Sequence, residues 1–269
     1  MIEMKKERSR ITLLLGLGIL SIFSSCSKEE DPICDIPQPT ILYESIRMQF
    51  DATAGGENME LLKTFSDPLG RSLNAELFKF YVSNVYFHAG NQKVKVKDVA
   101  LITMLDPNFP DPSGILREIE MKVPYGNYDG ISFGIGLDPL QNESDPNSFD
   151  PDHPLSSAQN THWGTWSNYK FLMMEGKGDW DNDTQFTDIY GYHTGFDECY
   201  REVDFDYNVQ VNGDDALPAP LLLTFEFNDI FFGKDSLDMA IFTSWHGDTS
   251  TIATSNLLSD NFSEALKIK

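Results

Sequence analysis

The chain has 269 residues, with 20 Lys and Arg against 42 Asp and Glu and a formal net charge of -22 at pH 7. Such an acidic surface repels nucleic-acid phosphates, which excludes DNA and RNA as partners, and it concentrates cations. Hydrophobic residues at 41% and aromatic residues at 12% exclude a disordered chain, and the length suffices for one buried core without a second domain.

The first segment, MIEMKKERSR, carries Lys5, Lys6, Arg8 and Arg10. Residues 11–23 (ITLLLGLGILSIF) are apolar but short for a helix that spans a bilayer. Ser24 and Ser25 then place small residues directly before Cys26. The pattern resembles a bacterial lipoprotein signal, cleaved before Cys26 with lipid on the thiol, although Phe23 stands where Leu is usual. An ordinary secretory signal or an N-terminal anchor is the alternative. Residues 1–25 are thus expected as signal, 26–40 as an acidic, Pro-rich tether, and 41–269 as a single domain. SKEEDP resembles the surface-export tag of Bacteroidetes lipoproteins, or is a plain solvated tether. The expected place is the cell envelope, lipid-anchored to the outer membrane on its periplasmic face or at the cell surface. Loss of residues 1–25 removes four basic and two acidic residues, which leaves 16 against 40 and a net charge of -24. Of the remaining cysteines, Cys34 and Cys199 either pair in an oxidising compartment, fastening tether to domain, or stay as two free thiols.

Strand periodicity dominates the chain beyond the tether. Residues 41–51 (ILYESIRMQFD) alternate, with Ile46, Met48 and Phe50 on one face. Residues 73–88 read as strand around a short turn at Ser83-Asn84, and Gly90-Asn91 closes a hairpin. Lys and Val alternate over 93–97, and 99–105 continues the sheet. Residues 116–123 alternate again before turn chemistry at 125–130 (YGNYDG). Further strands are expected over 131–137, 169–175, 188–193, 202–211 and 221–232. Only 256–266 reads as helix, capped by Thr254 or Ser255. The predicted fold is all-β: an antiparallel β-sandwich or barrel-like domain with long loops and a short C-terminal helix. The longest loop, 138–160, is rich in Pro, Asp and Asn, the kind of connection that is functional or mobile.

That loop runs into THWGTWSNYKFLMMEGKGDWDND (161–183), which holds three of the four Trp. His162 and His193 are the first metal-ligand candidates, since imidazole suits copper in either oxidation state. His88 and His246 are weaker ones, and His153, between Asp152 and Pro154, reads as solvated. Met173 and Met174 offer thioethers, although a strand buries at least one of them. Trp163 and Trp166 lie an odd number of residues apart and are expected to divide, one packed and one available. Asp179, Asp181 and Asp183 resemble the start of a calcium loop, but Thr184 and Tyr190 stand where an EF-hand needs Gly and Glu, so a solvated acidic turn competes with a calcium site. Phosphate-cradling, nucleophile-elbow, zinc-protease and haem-attachment motifs are missing, and the expectation is a binding protein, not an enzyme.

Five stretches in order, IRMQFDATAGGENM, LNAELFKFYVSNVYF, VPYGNYDGISFGIGLDPLQN, HWGTWSNYKFLMMEG and YHTG, together resemble the MbnP family of copper-associated exported proteins. His162 departs from the Met that the family often has before the first Trp of the fourth stretch. The resemblance implies a β-rich domain that binds copper. It also implies a partner, an MbnH-type di-haem enzyme, that oxidises one Trp (Trp163 or Trp166 here) to kynurenine, which joins His in holding the metal. The rival readings are a carbohydrate- or peptide-binding surface module that uses exposed Trp, and a hydrolase.

Overall fold

The apolar alternation near residue 46 becomes strand β1 (Tyr43–Ala54), in which Ile46, Met48 and Phe50 are fully buried. A computed structural model describes residues 40–108, 117–165, 168–213, 219–247 and 249–269. Cys26, Cys34 and Trp166 lie outside the described residues. After β1 come β2 (Glu57–Asn58), β3 (Phe65–Ser66), β4 (Ser72–Ala89), β5 (Gln92–Leu105), β6 (Glu118–Pro124) and β7 (Gly126–Ile135). A short helix α1 (Pro139–Asn142) precedes β8 (His162–Trp163), β9 (Asn168–Asp179), β10 (Asp188–Gly195), β11 (Arg201–Val211) and β12 (Leu221–Glu226). Helix α2 (Phe227–Phe232), β13 (Ser244–Trp245), helix α3 (Ile252–Ala265) and β14 (Lys267–Ile268) complete the chain.

The strands form two sheets, as expected of an all-β sandwich. One has the order β14-β12-β1-β2, with β6 also on β1; the other runs β11-β7-β4-β9-β10-β13, with β3 and β5 on β4 and β8 on β9. Pairing is antiparallel except for β1 with β12 and β10 with β13, which are parallel. Between the sheets lies a cluster of phenylalanines. Phe50 of β1 meets Phe80 of β4 at 5.2 Å edge-on, and Phe262 of α3 inserts at 4.9 Å from Phe80 and 5.1 Å from Phe225. Edge-to-face contacts of this kind add to the burial of the rings themselves.

Four local readings change. No turn interrupts β4 at Ser83-Asn84. Asn84 instead takes a φ of 51°, and the register with β7 shifts between Ser83 and Tyr86. This bulge sits where one edge of β4 passes from β9, paired up to Phe80, to β7, paired from Val82. In the YGNYDG stretch Tyr125 bends between β6 and β7, and the residues from Gly126 on are strand, not turn. Residues 227–232, aromatic enough to read as strand, are helix α2. The Glu226 side chain accepts from Asn228 N–H, and Phe227, Ile230 and Phe231 are buried at helical spacing. The C-terminal helix starts earlier than expected, at Ile252, with Thr251 at its N-cap.

The second sheet also buries apolar groups on the face turned away from the phenylalanine cluster. There Tyr81, Leu155, Tyr169, Phe171, Met173 and Cys199 pack together. Loop 138–160 supplies the cover, held by buried tyrosine hydroxyls. Tyr81 Oη donates to Pro154 O at 2.7 Å, and Tyr169 Oη donates to Leu155 O at 2.7 Å. Tyr81 Oη also lies 2.6 Å from Thr161 Oγ1. Asn142 is fully buried; its carbonyl accepts Tyr169 N–H at 3.0 Å and its amide donates to Asp197 at 2.9 Å. The loop is therefore a fitted lid. Tyr81→Phe keeps the ring but strips the hydroxyl from Pro154 O. The expected cost is about 1–3 kcal/mol, with faster amide hydrogen exchange confined to the segment around 150–161 and unchanged exchange in β1, β4 and β12.

Candidate metal centre

β9 and β10 place the polar cluster. They pair antiparallel, with His193 opposite Met173 and Gly191 opposite Glu175. Leu172, Met174, Tyr190 and Tyr192 enter the phenylalanine core, so strand alternation sends Met173, Glu175, Gly191 and His193 to the opposite, outer face. A register shift between Thr194 and Gly195 accompanies Lys170 onto that side, where Lys170, Met173 and Glu175 line one groove of about 530 Å³. β13 joins in parallel with Trp245 opposite Tyr192, and this delivers the next residue, His246, over Gly191. A β-carbon at Gly191 would already stand 3.4 Å from His246 Nε2.

Two imidazoles and an indole meet here. The His193 and His246 ring centroids are 4.7 Å apart with planes at 89°. Trp163, from β8, lies 5.9 Å from His193 and 5.8 Å from His246, edge-on to both. Lys170 Nζ sits 5.9 Å from the Trp163 ring centroid, within cation–π reach.

His193 is held by a carboxylate. Its Nε2 lies 2.7 Å from Glu175 Oε1. The hydrogen bond from His193 holds the Glu175 carboxyl below its usual range, against the opposite pull of burial, and the nearby charges of Lys170 and His246 act the same way as His193. An ionised Glu175 can only accept, so Nε2 carries a proton, and in the neutral form of the ring the lone pair is then on Nδ1. That Nδ1 is buried and has no hydrogen-bond partner among the described residues. Lost hydration lowers the pKa of His246, and the charge of His193 lowers it further, which favours the neutral, ligating form. Burial lowers the Lys170 pKa as well.

The remaining candidates lie elsewhere. The structure brings His193 to His246, not to His162: β8 turns His162 away from Trp163, and its ring packs edge-on against Tyr169 at 4.9 Å. His88 sits near the far end of β4, with Nε2 2.8 Å from Ser132 Oγ and Nδ1 3.7 Å from Asp204. His153 is not simply solvated, since it stacks on Phe149 at 4.3 Å and its Nδ1 accepts Leu155 N–H. Met174 is core, and Met173 lies opposite His193. Cys199 is a buried thiol 2.9 Å from Ser255 Oγ, and burial raises its pKa. Asp179, Asp181 and Asp183 bring ligand oxygens within 4.8 Å of one another, the one such acidic, imidazole or thiol trio among the described residues. Both Asp179 oxygens already accept backbone N–H groups, from Asp183 at 2.9 Å and Thr184 at 3.0 Å. The geometry thus makes an acidic turn closed on its own backbone. Glu175 was missed in the sequence, although its place in the E-G ending of the tryptophan motif, on the strand after the Trp, was the available signal.

No match is found among curated protein sequences. Among solved structures, MbnP from Methylosinus trichosporium is similar at 13% sequence identity and a TM-score of 0.54, covering 77% of this chain and 82% of that one. At that identity the likeness shows the shared fold. The MbnP family model matches residues 43–242, which takes in β1, the lid, the tryptophan motif and His193; the chain belongs to the MbnP family.

Proposed function

We propose that this chain is an exported, lipid-anchored copper-binding protein, in which His193 and His246 hold the metal together with the oxidised product of Trp163. Family membership fits a copper-related role. The observation that carries the reading is the Nδ1 of His193, buried and without a hydrogen-bond partner among the described residues, in a ring that meets His246 and Trp163. A buried nitrogen with an unshared lone pair is costly unless something takes it up. Two imidazole nitrogens suit copper, which accepts nitrogen and softer donors. An indole cannot be a ligand as it stands, since its N–H only donates. Kynurenine would supply an amine and a carbonyl at the same place, and a di-haem partner enzyme is the proposed source of that oxidation. Copper bound here is cargo, and the protein's part is to orient two rings and keep water from them. None of the three described tryptophans is exposed, which counts against a surface module that grips sugars or peptides with Trp.

In protein from the native host, peptide mass mapping is expected to find oxidation at Trp163 and not at Trp180 or Trp245. In the same protein, His193→Ala and His246→Ala should each lower copper content at least tenfold, while His88→Ala and His162→Ala keep it. Equal copper in all four variants contradicts the assignment. For the anchor, Cys26→Ala should move the protein from the membrane to the soluble fraction; undiminished membrane attachment would refute the lipid.

A further inference from the structure

We infer that Glu175 is a positioning residue for the metal: it holds the Nε2 proton of His193 and so obliges His193 to ligate through Nδ1. The inference rests on the copper reading and adds to it the ligand atom and the residue that selects it.

Four observations converge. The Glu175–His193 contact is short, at 2.7 Å, and joins Oε1 to Nε2. The two residues come from neighbouring strands whose alternation puts both on the outer face, and Gly191, opposite Glu175, adds no side chain between them. The other ring nitrogen of His193 lacks a hydrogen-bond partner among the described residues. The side chains differ in exposure, 11% for His193 and 45% for Glu175, so the ring is enclosed while the carboxylate stands at the groove. An imidazole that can rotate offers either nitrogen. One clamped by a carboxylate offers a single nitrogen in a single orientation. Metal-binding histidines commonly give their second N–H to a carboxylate, which fixes the tautomer and makes the ligand nitrogen more basic. Loss of such a partner typically weakens metal binding about 10- to 100-fold.

The pattern also separates His193 from His88 and His153. His88 has its Nε2 on a serine hydroxyl and its Nδ1 toward Asp204, so both nitrogens face protein groups. In His153 the Nδ1 accepts a backbone N–H. His193 combines a carboxylate on one nitrogen with a second nitrogen that is buried and unpartnered among the described residues.

The test uses the full chain with 15N-labelled histidine at mildly alkaline pH, first metal-free and then titrated with Cu(I) supplied from a competing chelator. In the metal-free wild type, His193 should show a protected Nε2–H signal and an unprotonated Nδ1. Cu(I) should then shift the Nδ1 resonance and leave Nε2–H in place. Glu175→Leu should lose the protected proton and bind Cu(I) about 10- to 100-fold more weakly. Glu175→Gln, nearly isosteric and able to accept through its amide oxygen, should recover part of the affinity and guards against a misfolded Leu variant. Cu(I) binding at Nε2 with loss of its proton, or wild-type affinity in Glu175→Leu, overturns the role of Glu175 while copper binding stands. A wild type in which the Nε2–H signal is intact but Cu(I) shifts neither His193 nor His246 overturns the copper reading and the metal role of Glu175 with it.

Discussion

The period-two alternation of β9 and β10 is the constraint on which the site depends. On these two strands one set of side chains belongs to the phenylalanine core and the interleaved set belongs to the metal cluster. Leu172, Met174, Tyr190 and Tyr192 anchor the strands from within. Met173, Glu175, Gly191 and His193 are then fixed on the outside without any loop of their own. A one-residue slip of either strand would exchange the two sets, burying Glu175 and His193 in the core. The energy that stabilises the core therefore also sets the register of the ligands.

Two further elements complete the cluster from opposite directions. β8 brings Trp163 after the lid, and β13 brings His246 from more than fifty residues downstream of His193. Neither strand exceeds two residues, and each gains its position from the longer strand it pairs with. The lid matters for the same reason. Buried hydroxyls of Tyr81 and Tyr169 tie its carbonyls to β4 and β9, so the chain reaches Trp163 from a fixed point. A loop rich in Pro and Asp is thus ordered by polar groups that reach out of the sheet it covers.

Much of this was legible in the sequence, because period-two patterns declare strands and the order of the aromatic motifs resembles one family. The β1 and β11 segments keep closely to their alternation, whereas β5, β9 and β10 carry runs of consecutive buried residues because both faces are covered. The failures have physical causes. At Ser83-Asn84 the polar pair reads as a turn, but a long strand uses it as a bulge to change partners. At 227–232 the aromatic residues carry high strand propensity, yet their burial at i, i+3 and i+4 favours a helix. Residues 126–130 have turn chemistry and nonetheless belong to β7. In the site, His193, Trp163 and, more weakly, His246 could be proposed from the sequence, whereas the meeting of His246 with His193 could not, because a parallel two-residue pairing leaves no periodic trace. His162 was misplaced for a simple reason: adjacent residues on a strand face opposite sides, so His162 and Trp163 cannot both face His193.

The most direct measurement of where copper goes is anomalous diffraction at the copper edge from crystals of the copper-loaded protein. A single strong peak is expected within bonding distance of His193 Nδ1 and a His246 ring nitrogen, beside residue 163, with Glu175 still on Nε2. A peak at the Asp179–Asp183 turn or at His88, with none between His193 and His246, would contradict that placement.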